Sequence, residues 1–145
     1  MKQIKWMFVI VLLVMFMPFS VMAGGFDGSE PLLFASQEVY ECSPENGCKD
    51  IEDEDINLPS LLIINFKKKE ITATPESGRK DVSKIERIER KDGMLYLQGA
   101  EDGYEGGVVD GVGWTLAIEE DSGKGVLTGA MPGAAFVIFG VCTPR

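Results

Sequence analysis

From residue 33 onward, apolar and polar positions alternate in short blocks separated by glycine, proline and aspartate, the pattern of an all-β domain. Leu33 to Cys42 is read as a first strand, with Phe34, Tyr40 and Cys42 at positions of the same parity. Asp50 to Asp55 (DIEDED) is an acidic connection. Leu61 to Phe66 and Glu70 to Thr74 then form a hairpin across the lysines at 67 to 69. Asp81 to Lys91 carries two signals. Val82, Ile85 and Ile88 recur every third residue, which suits a helix capped by Asp81. Asp92-Gly93 follows at once, and that dipeptide is the strongest short-range sign of a hairpin. The strand reading is preferred, with Ile85 displaced to the other face or at a bulge. A two-residue turn there sets Lys91 against Met94, Arg90 against Leu95, Ile88 against Leu97 and Glu86 against Gly99.

Gly113 to Glu119 alternates, with Trp114, Leu116 and Ile118 on one face. A turn centred on Ser122-Gly123 pairs Ile118 with Leu127, Leu116 with Gly129 and Trp114 with Met131, placing a large ring near a strand glycine. Pro132-Gly133 turns the chain again. Ala134 to Cys142 (AAFVIFGVC) closes the sequence as a strand apolar on both faces. The expectation is an antiparallel meander of about eight strands, closing into a small barrel or half-barrel. One side of the last strand fills the core. The other needs cover from the N-terminal arm, a second copy, an envelope protein or an apolar ligand.

The N-terminus follows a different pattern. Lys2 and Lys5 precede an unbroken apolar run from Trp6 to Met17, then Pro18, Ser20 and the small-residue ending Val21-Met22-Ala23. This is the form of a secretory signal peptide; the rival reading, an uncleaved membrane anchor, is disfavoured because the apolar stretch is only about as long as the shortest spanning helices and carries Pro18 near its end. The expected organisation is a signal peptide over 1–23, a loose arm over 24–32 and one β domain over 33–145. The mature chain is then periplasmic or secreted, with no stable membrane insertion.

Charge and composition narrow the chemistry. Across 145 residues, 23 Asp and Glu oppose 14 Lys and Arg, two of the lysines lying in the leader, for a net charge of −9. Such a chain is repelled by nucleic acid and anionic lipid, so neither is an expected partner. There is no histidine. That removes histidine bases, Ser-His and Cys-His nucleophile pairs, and histidine-ligated metals. No nucleotide-binding loop or serine-hydrolase motif is present, so no cofactor and no catalytic residue is assigned.

Three cysteines remain, Cys42, Cys48 and Cys142. In an eight-strand meander the first and last strands run antiparallel, which puts Cys42 and Cys142 at opposite ends of the barrel. A bridge needs α-carbons within roughly 7 Å, so Cys42–Cys48 is the expected disulfide, formed across Ser-Pro-Glu-Asn-Gly. Cys142 is then a buried thiol.

Two acidic stretches invite a metal reading. Asp50 to Asp55 holds five carboxylates in six residues, and Gly99 to Trp114 holds six glycines with four acids. The glycine stretch lacks the spacing of a calcium loop and is read as an oversized connection between hairpins, while the acidic run is read as a solvated stretch of repelling carboxylates. No metal site is assigned. Candidate ligand or partner contacts are Tyr104 in that connection, Trp114 beside it, and Phe136 and Phe139 on the last strand.

LPSLLIINFKKKEIT, YLQG, GWTLAI with its DSGKG turn, and FVIFGVCT together resemble a group of small exported bacterial β-rich proteins of unknown function. The resemblance implies an architecture and no activity. The leading functional expectation is a non-enzymatic binding or envelope-associated module. Two alternatives stand beside it: a carboxylate-dependent hydrolase of cell-envelope sugar, and an accessory subunit that uses the last strand as an interface, with a homodimer as one form of it.

Overall fold

The computed structural model describes residues 25–101 and 111–145, and they form one antiparallel β-sheet. Its strands are β1 (Leu32–Ser43), β2 (Gly47–Ile51), β3 (Leu61–Asn65), β4 (Glu70–Ala73), β5 (Val82–Lys84), β6 (Arg87–Lys91), β7 (Met94–Glu101), β8 (Val112–Glu119), β9 (Lys124–Met131) and β10 (Ala134–Pro144). The order across the sheet is β5-β4-β3-β1-β10-β9-β8-β7-β6, with β2 attached to β1. The two ends of that order, β5 and β6, are consecutive in the chain and separated only by Ile85 and Glu86. The sheet therefore curls until its edges meet at a single bent strand. Counting β5 and β6 as one strand and setting β2 aside leaves the eight-strand meander expected from the pattern.

The bend also resolves the mixed signal of residues 81–91. The Ile85 N–H donates to the Lys69 carbonyl (2.9 Å) and the Glu86 N–H to the Gln98 carbonyl (2.8 Å), so the chain changes neighbours there. Ile85 is left pointing into the core, 3% exposed, which is the displaced position the strand reading required. After it, the register is the one set by Asp92-Gly93: Arg90 against Leu95 and Ile88 against Leu97. Both turn residues have positive φ, 53° and 79°, as this tight turn demands.

The second hairpin departs from expectation. Leu116 pairs with Leu127, Trp114 with Gly129 and Ile118 with Gly125, two positions away from the register of a turn centred on Ser122-Gly123. The connection is four residues long rather than two. The Gly123 N–H reaches back to the Glu119 carbonyl (2.8 Å), and Gly123 alone takes the left-handed conformation (φ 71°). A two-residue turn would force Ser122 there as well. Because the shift is by two, every side chain keeps its face, and Trp114, Leu116 and Ile118 are buried as expected.

A second correction lies in β1. Its register against β10 slips between Ser36 and Glu38, leaving Gln37 as an extra residue. Such a bulge flips the alternation. Phe34 is fully buried, but beyond the bulge Val39 points inward, and Tyr40 does not share the face of Phe34. The bulge also divides β1 between neighbours: Leu32 to Ala35 pair with β3, and Val39 to Ser43 pair with β2.

The interior is apolar throughout. Leu32, Phe34, Ile64, Leu95, Leu97, Leu116 and Ile118 are fully buried, and Thr74 is the buried polar residue among those described. Of the loose arm expected over 24–32, Leu32 belongs to β1 and is fully buried, while Gly25 backs onto Pro144 and Gly28 onto Phe66 and Arg90 at one end of the barrel. Phe26 packs on the core and its carbonyl accepts from Arg90 Nη2 (2.5 Å), while Arg90 Nε bridges to Glu120 (2.9 Å). The acidic run is also structured. Asp50 and Ile51 complete β2, and Asp53–Ile56 is a 3-10 turn in which the Asp55 carboxylate accepts the Glu52 N–H (3.0 Å). Among the described residues no helix is long and apolar enough to cross a membrane.

Candidate functional site: the outer face of the last strand

Each sequence-predicted contact residue has a distinct fate. Cys42 and Cys48 face each other across the β1–β2 hairpin and form a disulfide, with α-carbons 4.0 Å apart. Tyr104 lies outside the described residues. Trp114 is 8% exposed and turned inward; its indole N–H donates to Ser83 Oγ (2.9 Å) across the seam. Phe136 is half-buried against the core. Phe139 is different. It is 43% exposed, on the opposite side of β10 from buried Ile138, Gly140 and Cys142.

The alternation of β10 that buries its even positions therefore turns Ala135, Val137, Phe139 and Val141 outward. Register defines their neighbours. Phe139 lies between Glu38 of β1 and Val126 of β9, and the line continues through Ala117 to Tyr96. One step along the strands, Val137 lies between Tyr40 and Thr128, with Thr115 beyond. The Tyr40 and Phe139 rings meet edge to face, centroids 6.1 Å apart, a favoured aromatic geometry. The result is an outward, mainly apolar surface with Tyr40 and Phe139 on one flank, small side chains across the middle, Tyr96 on the far flank and Lys124 beside Val141. Tyr40 belongs to it only because the Gln37 bulge reversed its parity, and nothing in the local spacing announces that bulge.

Carboxylates border the aromatic flank. Glu38 sits opposite Phe139 and Asp50 opposite Tyr40. The Tyr40 hydroxyl donates to Glu38 (3.3 Å), and the charges of Glu38 and Asp50, with some loss of hydration, hold its ionisation above the usual tyrosine range.

No protein-family model, curated protein or solved structure matches this chain.

The remaining chemistry of the surface is modest. A cleft of about 190 Å³ lies beside the bulge, lined by Gln37, Glu38, Val39 and the stretch Asp50 to Asp53. Ser36 Oγ donates to Asp53 Oδ2 (2.6 Å), while Asp53 Oδ1 is buried without a protein partner. Among the described residues no group of three or more acidic, histidine or cysteine side chains is placed to hold a metal ion.

Cys142 lies at the opposite end of β10 from the disulfide: it pairs with Phe34, whereas Cys42 pairs with Ala135. It is 2% exposed, and burial pushes its thiol from 9.0 up to about 12. A raised folded value means that only the unfolded chain ionises between those limits, so this group adds no pH dependence below pH 9 and lowers stability as pH rises toward 12. Native protein at pH 8 is expected to resist a thiol-specific disulfide reagent for hours and to release one equivalent at once in denaturant. Rapid native labelling would place Cys142 at the surface instead.

Proposed function

We propose that this chain is an exported, non-enzymatic binding module, and that its working surface is the outer face of β10 rather than the barrel interior. The observation that carries this reading is the exposure of Phe139 within a continuous apolar surface on β1, β10 and β9. The interior supports it too: among the described residues Thr74 is the buried polar side chain and no acidic residue is buried, so they place no pair of acids inside for sugar hydrolysis. The Cys42–Cys48 bridge fits an oxidising compartment, as the leader pattern requires.

Site-specific photo-crosslinking in the producing cell tests the reading. A photoreactive side chain at Phe139 or Val137 is expected to give discrete adducts, whereas one at exposed Glu76, on a 3-10 turn after β4, gives none. Absence of adducts at both outer positions, or equal yields at all three, would overturn the assignment.

A further inference from the structure

The outer face also says what kind of partner it fits, an inference that rests on the binding reading above. Three features of the surface decide the occupant. The first is its shape: Ala135, Ala130, Ala117 and Thr128 keep the middle low, while Tyr40 and Phe139 stand along one flank. The second is charge. The ion pairs of the described residues join Arg79 to Asp81, Arg87 to Glu89 and Arg90 to Glu120. Glu38 and Asp50, the two acids against the aromatic flank, take part in none of them. The third is the balance of the whole chain, at −9, which draws cations toward any apolar surface it exposes.

A second copy of this chain is a poor match. A two-fold contact through this face presents the same patch twice, and the two acids Glu38 and Asp50 of each copy outnumber the one lysine on the face, Lys124 beside Val141, so the charges of a symmetric pair do not balance. An anionic bilayer meets the same repulsion. A basic apolar segment meets neither obstacle. The methylene stems of lysine or arginine cover Phe139 and Val137, their heads reach Glu38 and Asp50, and a cation over the Tyr40 ring gains the attraction of its π face.

We infer that this face receives a basic, apolar peptide segment of a partner protein, its cationic side chains set against Glu38 and Asp50 and its apolar residues against Tyr40, Val137 and Phe139.

The exported protein, labelled with nitrogen-15, is titrated with a Lys- and Leu-rich amphipathic peptide and with the same peptide carrying Glu for Lys. Amide shifts from the basic peptide are expected on β1, β9 and β10, with none from the acidic one. The double variant Glu38→Gln, Asp50→Asn should weaken binding roughly five-fold, the scale of two exposed ion pairs. Phe139→Ser should weaken it about ten-fold by removing an aromatic anchor. The control Glu76→Gln, Asp121→Asn removes the same net charge elsewhere and should leave affinity unchanged. Equal weakening by the control, equal binding of the acidic peptide, or shifts that appear on concentration alone would overturn the inference. Adducts at Phe139 in cells alongside such a result would leave the binding reading standing without its basic partner. Loss of both results would remove the two together.

Discussion

Replacing Phe34 with alanine is expected to lower the free energy of unfolding by about 3–5 kcal/mol, near the upper end for a single aromatic truncation. Phe34 is fully buried on β1, and the reason for so large a loss lies on the two strands beyond it. Gly140 of β10 and Gly125 of β9 are paired, and both face the Phe34 ring. A β-carbon placed at Gly140 would fall 2.6 Å from Phe34 Cζ, and one at Gly125 would fall 3.2 Å from Cε2. The ring thus fills a slot made by two missing side chains. When the ring is removed, neither glycine has a side chain to swing into the hole, so collapse depends on the backbone and the cavity persists. Urea unfolding followed by tryptophan fluorescence measures the cost, with an unchanged m-value if the native fold is retained. A loss under about 1 kcal/mol would mean that the slot closes, contrary to the packing described.

That slot was not readable in the sequence, and the contrast with what was readable has a physical basis. The β6–β7 register follows from Asp92-Gly93 alone, because a two-residue turn with two positive φ values leaves one way to pair the strands. Asp121-Ser-Gly-Lys124 resembles such a turn but leaves open how many residues it spends, and the register moved by two as a consequence. Faces survived that error, since the side-chain period is two. They did not survive the Gln37 bulge, which depends on β1 leaving β3 for β2, a choice made by distant residues such as Ser60, whose carbonyl accepts the Ser36 N–H (3.0 Å). The candidate site shows the same division. Phe139 stood out because β10 carries no charge on either face. Tyr40, its aromatic neighbour, has the parity of Phe34, and the bulge puts the two on opposite faces. Trp114 reads in the sequence as the wall of an apolar pocket, and in the fold its ring is buried with the indole N–H donated to Ser83 at the seam.

The seam carries the second large effect: Gly99→Ala is expected to destabilise the fold by about 3 kcal/mol, at the high end for added volume in a packed site. The backbone of Gly99 lies in an ordinary region, so conformational freedom is not the cause. Space is. A β-carbon there would fall 2.3 Å from the Lys84 carbonyl oxygen and 2.4 Å from Trp114 Cζ2. A ring can shift, but the carbonyl belongs to the bent strand at the point where it leaves β4 for β7. The two obstacles can be separated. Trp114→Phe in the Gly99→Ala background removes the Cζ2 contact and also leaves Ser83 without its indole donor, so it should recover only a small part of the loss. The Lys84 carbonyl remains in the way. Hydrogen exchange locates the damage: the Glu86 amide, which donates to Gln98 across the seam, should lose protection, while the Leu116 and Leu127 pairing of β8 and β9 keeps its own. Wild-type stability in Gly99→Ala, with Glu86 still protected, would mean that β5 does not cross β7 here and that the sheet joins its edges elsewhere. A full recovery by Trp114→Phe would assign the constraint to the ring alone, leaving the bent strand free to move.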